Sequence, residues 1–198
     1  MMGGGRSFSA NGQAGCGTAQ FMRLWRLGAR VMEISRHLRT ELIKLELETH
    51  IEPDPETGEL TKRLLREGKV RLLTEMVKLM EENGRIGNPT KLVTDLFNRE
   101  KKASTAIGHG IAVPHVRTYQ AKEFIMAVGR SIKGIEFEAP DNEPVHLFFC
   151  MAAPQYDDKL YLKVFKALAQ NLQYDYFRDR LMAAESQSEI IRAFKDME

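Results

Sequence analysis

The chain reads as a layered α/β domain, a mixed central sheet flanked by helices on both faces, with a helical N-terminal extension. Three observations predict this. Apolar residues recur at three- and four-residue spacing in several longer stretches, as amphipathic helices require. Phe124 to Val128 is apolar at every position and fits a central strand covered on both faces. Strand and helix signals then alternate along the body, which is the pattern of a layered α/β domain.

The first 19 residues are rich in Gly, Ser, Ala, Asn and Gln, too poor in apolar surface to order themselves, and a disordered tail is expected over 1–19. From Gln20 to Leu38, Leu24, Leu27, Val31, Ile34 and Leu38 keep helical spacing. That helix either docks on the body or a neighbouring subunit, or, given its basic start, lies on a membrane surface; the docked arrangement is the simpler one. Ile43, Leu45, Leu47 and Ile51 alternate with Lys44, Glu46, Glu48 and His50 as in a half-buried strand, with a continued helix through Leu42 and Leu45 as the competing reading. Pro53-Asp54-Pro55 and Thr57-Gly58 mark a turn. The organisation expected is therefore a tail over 1–19, an extension over 20–58 and a body over 59–198. His37 and His50 have no sequence neighbours to pair with and are expected in solvent.

In the body, Val70, Leu73, Val77 and Met80 form one helical face that stops at Asn83-Gly84. Asn88 caps the next helix, Pro89 starts it, and Leu92, Val93, Leu96 and Phe97 are its buried stripe, with Arg99 and Glu100 in the last turn. Ile111-Ala112-Val113 is a short strand. A turn at Asp141-Asn142 leads into a strand over Val145–Met151, on which His146 shares a face with Phe148 and Cys150, as a hydrogen-bonded structural histidine would. Asp157 and Asp158 open a helix striped by Leu160, Val164, Leu168 and Leu172, with Tyr161 beside the stripe. Phe177 and Leu181 mark another helix, and Ser186 with Glu189 forms a capping box before Ile190, Ile191 and Phe194.

The chemistry concentrates between Arg99 and His115. The run offers a guanidinium, two hydroxyls (Ser104 and Thr105), glycines around a histidine (Gly108-His109-Gly110), and Pro114-His115. Glycines let backbone N–H groups approach an oxyanion, hydroxyls donate to it, and arginine forks two bonds onto it. Pro114 fixes the backbone ahead of His115 and holds Val113 extended, so the imidazole leaves the chain in one direction. Largely neutral near pH 7, such an imidazole attacks phosphorus without a separate base, and the reactive phosphoramidate can pass the group on. Two other uses of these residues stay open: Arg99 as a cation at a helix C-terminus, and a metal hydrolase built on His109 and His115, for which neighbouring acid or cysteine ligands are missing.

The run Asn-Arg-Glu…Ser-Thr-Ala-Ile-Gly-His-Gly-Ile-Ala-Val-Pro-His resembles the signature of the fructose/mannitol-type enzyme IIA domains of the bacterial phosphotransferase system, including the nitrogen-regulatory IIA proteins. The likeness continues through Gly134–Val145, Leu147-Phe148-Phe149 and Pro154 to the C-terminal helices. The resemblance implies a phosphotransferase that needs no cofactor. His115 would accept a phosphoryl group from a histidine-containing phosphocarrier protein and pass it to a IIB cysteine, or use it as a regulatory signal. Arg99 would line the phosphate site, with Ser104, Thr105, Gly108, His109 and Gly110 near it and Glu100 and Tyr161 supporting it. The chain departs from the family pattern in two places. Tyr161 and Leu162 stand where relatives carry a second active-site histidine in a His-Leu context, and Val116 follows the active histidine where a small residue is frequent. The first departure, together with the additional N-terminal segment, motivates an alternative, a pseudo-IIA module that binds regulatory partners without phosphoryl transfer.

The net charge of +2 is too small to imply a nucleic-acid partner, and residues 1–32 carry four arginines and no acid, which leaves the rest slightly acidic. Cys16 and Cys150 form neither a CxxC pair nor a disulfide framework, as expected in a reducing cytosol. No apolar run is long enough to span a bilayer, and the start lacks a secretory apolar core, so a cytoplasmic protein is expected. A homo-oligomer stays open.

Overall fold

The computed structural model describes residues 33–198 apart from 82, 83 and 157. The expected tail over 1–19, residues 20–32 of the expected amphipathic helix, Cys16, Asn83 and Asp157 lie outside the described residues. Among the described residues six strands build one mixed sheet: β1 (Ile43–Lys44), β2 (Ala106–Gly108), β3 (Ile111–Ala112), β4 (His115–Arg117), β5 (Ile125–Ile135) and β6 (Val145–Ala153). The order is β1-β5-β6-β3-β2, and β4 also pairs with β6, further along the same edge as β3. β1 lies parallel to β5, and β3 and β4 lie parallel to β6; the β5–β6 and β2–β3 pairs are antiparallel.

Helices cover both faces, as the doubly apolar strands demand. α1 (Lys62–Glu81) and α2 (Pro89–Glu100) pack on one face, where Leu72, Leu73, Met76, Leu92 and Leu96 meet Ile125, Ala127, Phe148, Cys150 and Ala152. α3 (Asp158–Leu172), α4 (Asp175–Ala183) and α5 (Gln187–Met197) cover the other, where Val164, Leu168, Phe177 and Phe194 meet Met126, Val128, Phe149 and Met151. At Gly129 on β5 the sheet meets its cover so closely that a Cβ would stand 2.8 Å from both Leu47 Cδ2 and Met76 Sδ. Val145 departs from the expected alternation: it packs with Phe137 and Ile135 on the α1/α2 side, because the β5–β6 register shifts between Arg130 and Ile135.

The caps follow the sequence. Asn88 Oδ1 accepts the Lys91 N–H at 2.9 Å with Pro89 opening α2. Ser186 Oγ accepts the Glu189 N–H at 3.3 Å, while the Glu189 carboxylate reaches past the cap residue to the Glu185 N–H at 2.8 Å. His146 is half-buried with Nδ1 bonded to the Ser131 carbonyl at 3.0 Å, a structural histidine as expected.

The N-terminal part differs from expectation. The helical spacing through Ile34 and Leu38 ends in a 3-10 turn over Ile34–His37, after which Leu38 is extended; the Glu198 carboxylate holds that turn by accepting from Ser35 N and Ser35 Oγ at 2.8 and 2.7 Å. The strand expected over 43–51 is only Ile43–Lys44, because the chain then crosses the sheet edge: Ile43 and Leu45 pack with the α3–α5 core and Leu47 with the α1/α2 core. His37 is not solvated as expected. It is half-buried edge-on against Phe124, ring centroids 5.5 Å apart. Ile34, Leu38, Leu42, Ile43 and Leu47 are thus part of the same two cores as the body.

Candidate functional site

Pro114 ends the β3 run, and its own carbonyl accepts from Met151 N at 2.8 Å, so the chain re-enters the sheet at His115 as a separate strand. The imidazole folds back on the residue before the proline, with Nδ1 2.6 Å from the Val113 carbonyl. A carbonyl only accepts, so Nδ1 carries the proton and Nε2 the lone pair. The ring lies edge-on to Phe165 at 5.3 Å and tilted to Tyr161 at 6.0 Å; both come from one face of α3, four residues apart.

His115 opens on a cleft of about 820 Å³, bounded by the end of α2 (Arg99), the β4 strand (Arg117) and α3 (Tyr161). Lys91 and Lys102 add cations on the α2 side. Burial pushes the His115 pKa below 6.5, and the Arg99 guanidinium pushes it the same way, against the Val113 bond and Glu100, which push it up; the balance keeps the ring neutral at pH 7. Burial raises the Tyr161 phenol above 10.0, against the pull of Arg99 and Arg117, so it stays a neutral donor. Arg99 itself donates from Nη1 to the Ala103 carbonyl at 2.9 Å, at the helix end where a lone cation would also sit. The arrangement is a neutral imidazole with Nδ1 committed to a carbonyl, in a cleft that the Arg99 and Tyr161 side chains also line.

The structure brings His115, Arg99 and Tyr161 together, with Glu100 near enough to act on the ring, and leaves the other expected residues elsewhere. Gly108-His109-Gly110 makes the β2–β3 turn, with φ of +84°, +55° and +72°. The Gly110 carbonyl bonds to β6 at His146 and Leu147, whereas His115 faces Met151, four residues or about 13 Å further along that strand. The His109 N–H already donates to the Asp141 carboxylate at 2.7 Å, so an anion of the protein's own chain fills that turn. Ser104 Oγ donates to the Phe137 carbonyl at 3.0 Å, and Thr105 is buried with its N–H and hydroxyl on Glu100. His109 and His115 are at opposite ends of β6 and do not form a common metal site; among the described residues no group of three or more His, Cys, Asp or Glu side chains could hold a metal.

Sequence reasoning missed the rest of the cleft wall. Arg117 follows His115 by two on a strand and so shares its side, a period-2 signal available in advance. Asp95 accepts from Thr118 Oγ1 at 2.6 Å and pairs with Lys91 at 2.9 Å, joining α2 to the segment after β4; no local pattern marks that contact.

A layered α/β domain with a neutral histidine in a cleft lined by two arginines defines a class of protein whose site has the chemistry to hold an anionic group. The chain belongs to the family described as "Phosphoenolpyruvate-dependent sugar phosphotransferase system, EIIA 2", whose model matches residues 59–197. It is 31% identical over 160 residues to the fructose-specific EIIA component of Haloferax volcanii, covering 81% of this chain and 93% of that protein. It is 33% identical over 123 residues to the fructose-specific EIIABC component of Bacillus subtilis, where the match spans 62% of this chain and 19% of the longer relative. Among solved structures, the nitrogen regulatory protein IIA-Ntr of Neisseria meningitidis superposes with a TM-score of 0.67 at 27% identity, covering 81% of this chain and 98% of that one. Among the described residues no helix is long and apolar enough to cross a membrane.

Proposed function

We propose that this protein is a cytoplasmic phosphoryl carrier and that Nε2 of His115 holds the group. The observation that carries the reading is the 2.6 Å bond from Nδ1 to the Val113 carbonyl, which commits one ring nitrogen and leaves the other as the nucleophile. The donor is a histidine-containing phosphocarrier protein. The Nε2–P bond forms as the donor's N–P bond breaks, while Nδ1 keeps its proton and the Val113 carbonyl stabilises the positive charge that develops on the ring. Arg99 and the Tyr161 hydroxyl face the charge spread over the equatorial oxygens, and positioning does most of the rest. The acceptor is a IIB cysteine, whose thiolate forms the S–P bond as Nε2–P breaks, or the phosphorylation state itself is read by a regulatory partner. Ser104, Thr105, Glu100 and the Gly108–Gly110 turn support the strand that carries His115 and do not touch the phosphoryl group.

Mixing the protein with phosphorylated phosphocarrier tests this. An acid-labile phosphoryl adduct is expected on the wild type and none on His115→Ala. An adduct that persists in His115→Ala, or none on the wild type, defeats the reading. The pseudo-IIA alternative draws on Tyr161, which cannot carry charge at neutral pH; it is favoured if partners bind equally well to His115→Ala and to the wild type.

A further inference from the structure

Behind the cleft wall lies a buried ion pair, joined by the exposed Glu138, that takes no direct part in the transfer above. Lys69 on α1 and Glu100 on α2 are each only 4% exposed. Lys69 Nζ donates to Glu100 Oε1 at 2.8 Å and to Glu138 Oε2 at 2.7 Å, and stands 4.5 Å from the centre of the Phe137 ring. The other Glu100 oxygen accepts from Thr105 N at 2.9 Å and Thr105 Oγ1 at 2.5 Å. The Thr105 carbonyl accepts from Val113 N at 3.0 Å, and the Val113 carbonyl is the acceptor of His115 Nδ1. Every link joins a donor to an acceptor, from an ammonium on α1 to the imidazole. The loop closed by the Glu100–Thr105 clamp also contains Ala103, whose carbonyl holds Arg99.

We propose that Lys69 and Glu100 are positioning residues for His115: the pair clamps the 101–105 loop to the end of α2 and, through the Thr105 and Val113 peptides, sets the tautomer and aim of the imidazole. A buried ion pair is seldom better for stability than apolar residues of the same volume, so its location at the root of this path argues for a role in specifying geometry. The functional consequence rests on the phosphoryl-carrier reading; the geometry does not. The charged and titratable groups around His115 are Arg99 and Glu100 from α2, Arg117 on β4, Tyr161 from α3, and Lys91, Asp95 and Lys102 around the cleft.

The test uses the full chain with Lys69→Met, Glu100→Gln, both together, and Lys69→Arg. It reads the His115 titration and tautomer by NMR alongside the rate of phosphoryl acceptance. Lys69→Met leaves the Glu100 charge uncompensated and should move the His115 midpoint up. Glu100→Gln should move it down, the double variant should return it toward wild type, and Lys69→Arg should hold it there. Each neutralising single variant should also lower the Nδ1–H population and slow transfer at least about tenfold. A purely structural pair would lower stability and leave the His115 signals unchanged, or move them the same way in both single variants; either result overturns the proposal. Where a single variant does not fold, Thr105→Val is the substitute: it keeps volume and removes the hydroxyl link, and an unchanged His115 Nδ1–H signal overturns the clamp. Altered His115 signals with no adduct on the wild type would sink the carrier reading alone, and unaltered signals with a normal adduct would sink this inference alone.

Discussion

The two nitrogens of His115 are made unequal by one backbone carbonyl, and the ring is kept neutral by burial and by the neighbouring guanidinium. Both effects act on the same side chain, so they separate by mutation. Arg99→Gln removes a cation that lowers the His115 pKa, so the acid limb of phosphoryl acceptance should move to higher pH, seen as a higher NMR titration midpoint of the ring. If Arg99 faces the transferring group as proposed, its loss should also drop the rate at pH 7 by about 10²-fold. For the wild type, the acid limb of acceptance should have its midpoint below pH 6.5, since the ring's pKa is lowered from that value. Tyr161→Phe keeps the packing on His115 and should change stability by less than about 0.5 kcal/mol while slowing transfer.

At the scale of elements, the site depends on strands being held at fixed heights along β6, and long-range polar contacts do the holding. Arg130 is the clearest case. It is buried where β5 changes register; its Nη1 donates to the carbonyls of Leu181, Met182 and Ala184 at the end of α4, at 3.2, 2.7 and 2.6 Å, and its Nε to Leu45 at 2.8 Å. One guanidinium thus satisfies the carbonyls that a helix C-terminus leaves open and ties α4 to the sheet. Arg130→Leu strands those acceptors in the core, and a loss of about 3–5 kcal/mol is expected from urea unfolding. The capping residues Asn88 and Ser186 were readable because each acts within three positions of itself. Arg130 was not, because its partners lie 51 or more residues away.

Across the whole molecule, residues 43–49 are fastened to α1 by one carboxylate. Glu75 accepts from Glu48 N, Thr49 N and Thr49 Oγ1 at 2.8, 3.0 and 2.6 Å and pairs with Lys44 at 2.8 Å. Burial pushes the Glu75 pKa up, and the bonds from Lys44, Thr49 and the two backbone amides more than offset it, holding the group below 4.5. A carboxyl whose folded pKa is depressed contributes stability above its unfolded value and loses it as pH falls through the folded one. Stability should therefore decline below pH 4.5, and Glu75→Gln should flatten that decline, measured as urea midpoints from neutral pH to about 3.5.

Periodicity, capping chemistry and the restriction that a proline puts on its neighbours act over a few residues. By itself, then, the sequence determined the layered α/β class, the helices with their caps, and His115 as the aimed imidazole with Arg99 close in the chain. Which of the clustered polar residues meet at that imidazole was a matter of register. Gly108-His109-Gly110 lies within seven positions of His115, yet β3 and β4 meet β6 at different heights, so the turn ends beside Asp141 and away from the cleft. Tyr161 meets the ring, Arg117 joins it in lining the cleft, and Lys69 reaches Glu100, only because α3, β4 and α1 pack where the two cores put them. Side-chain contacts across tens of residues carry no local signature, and only the tertiary structure decided them.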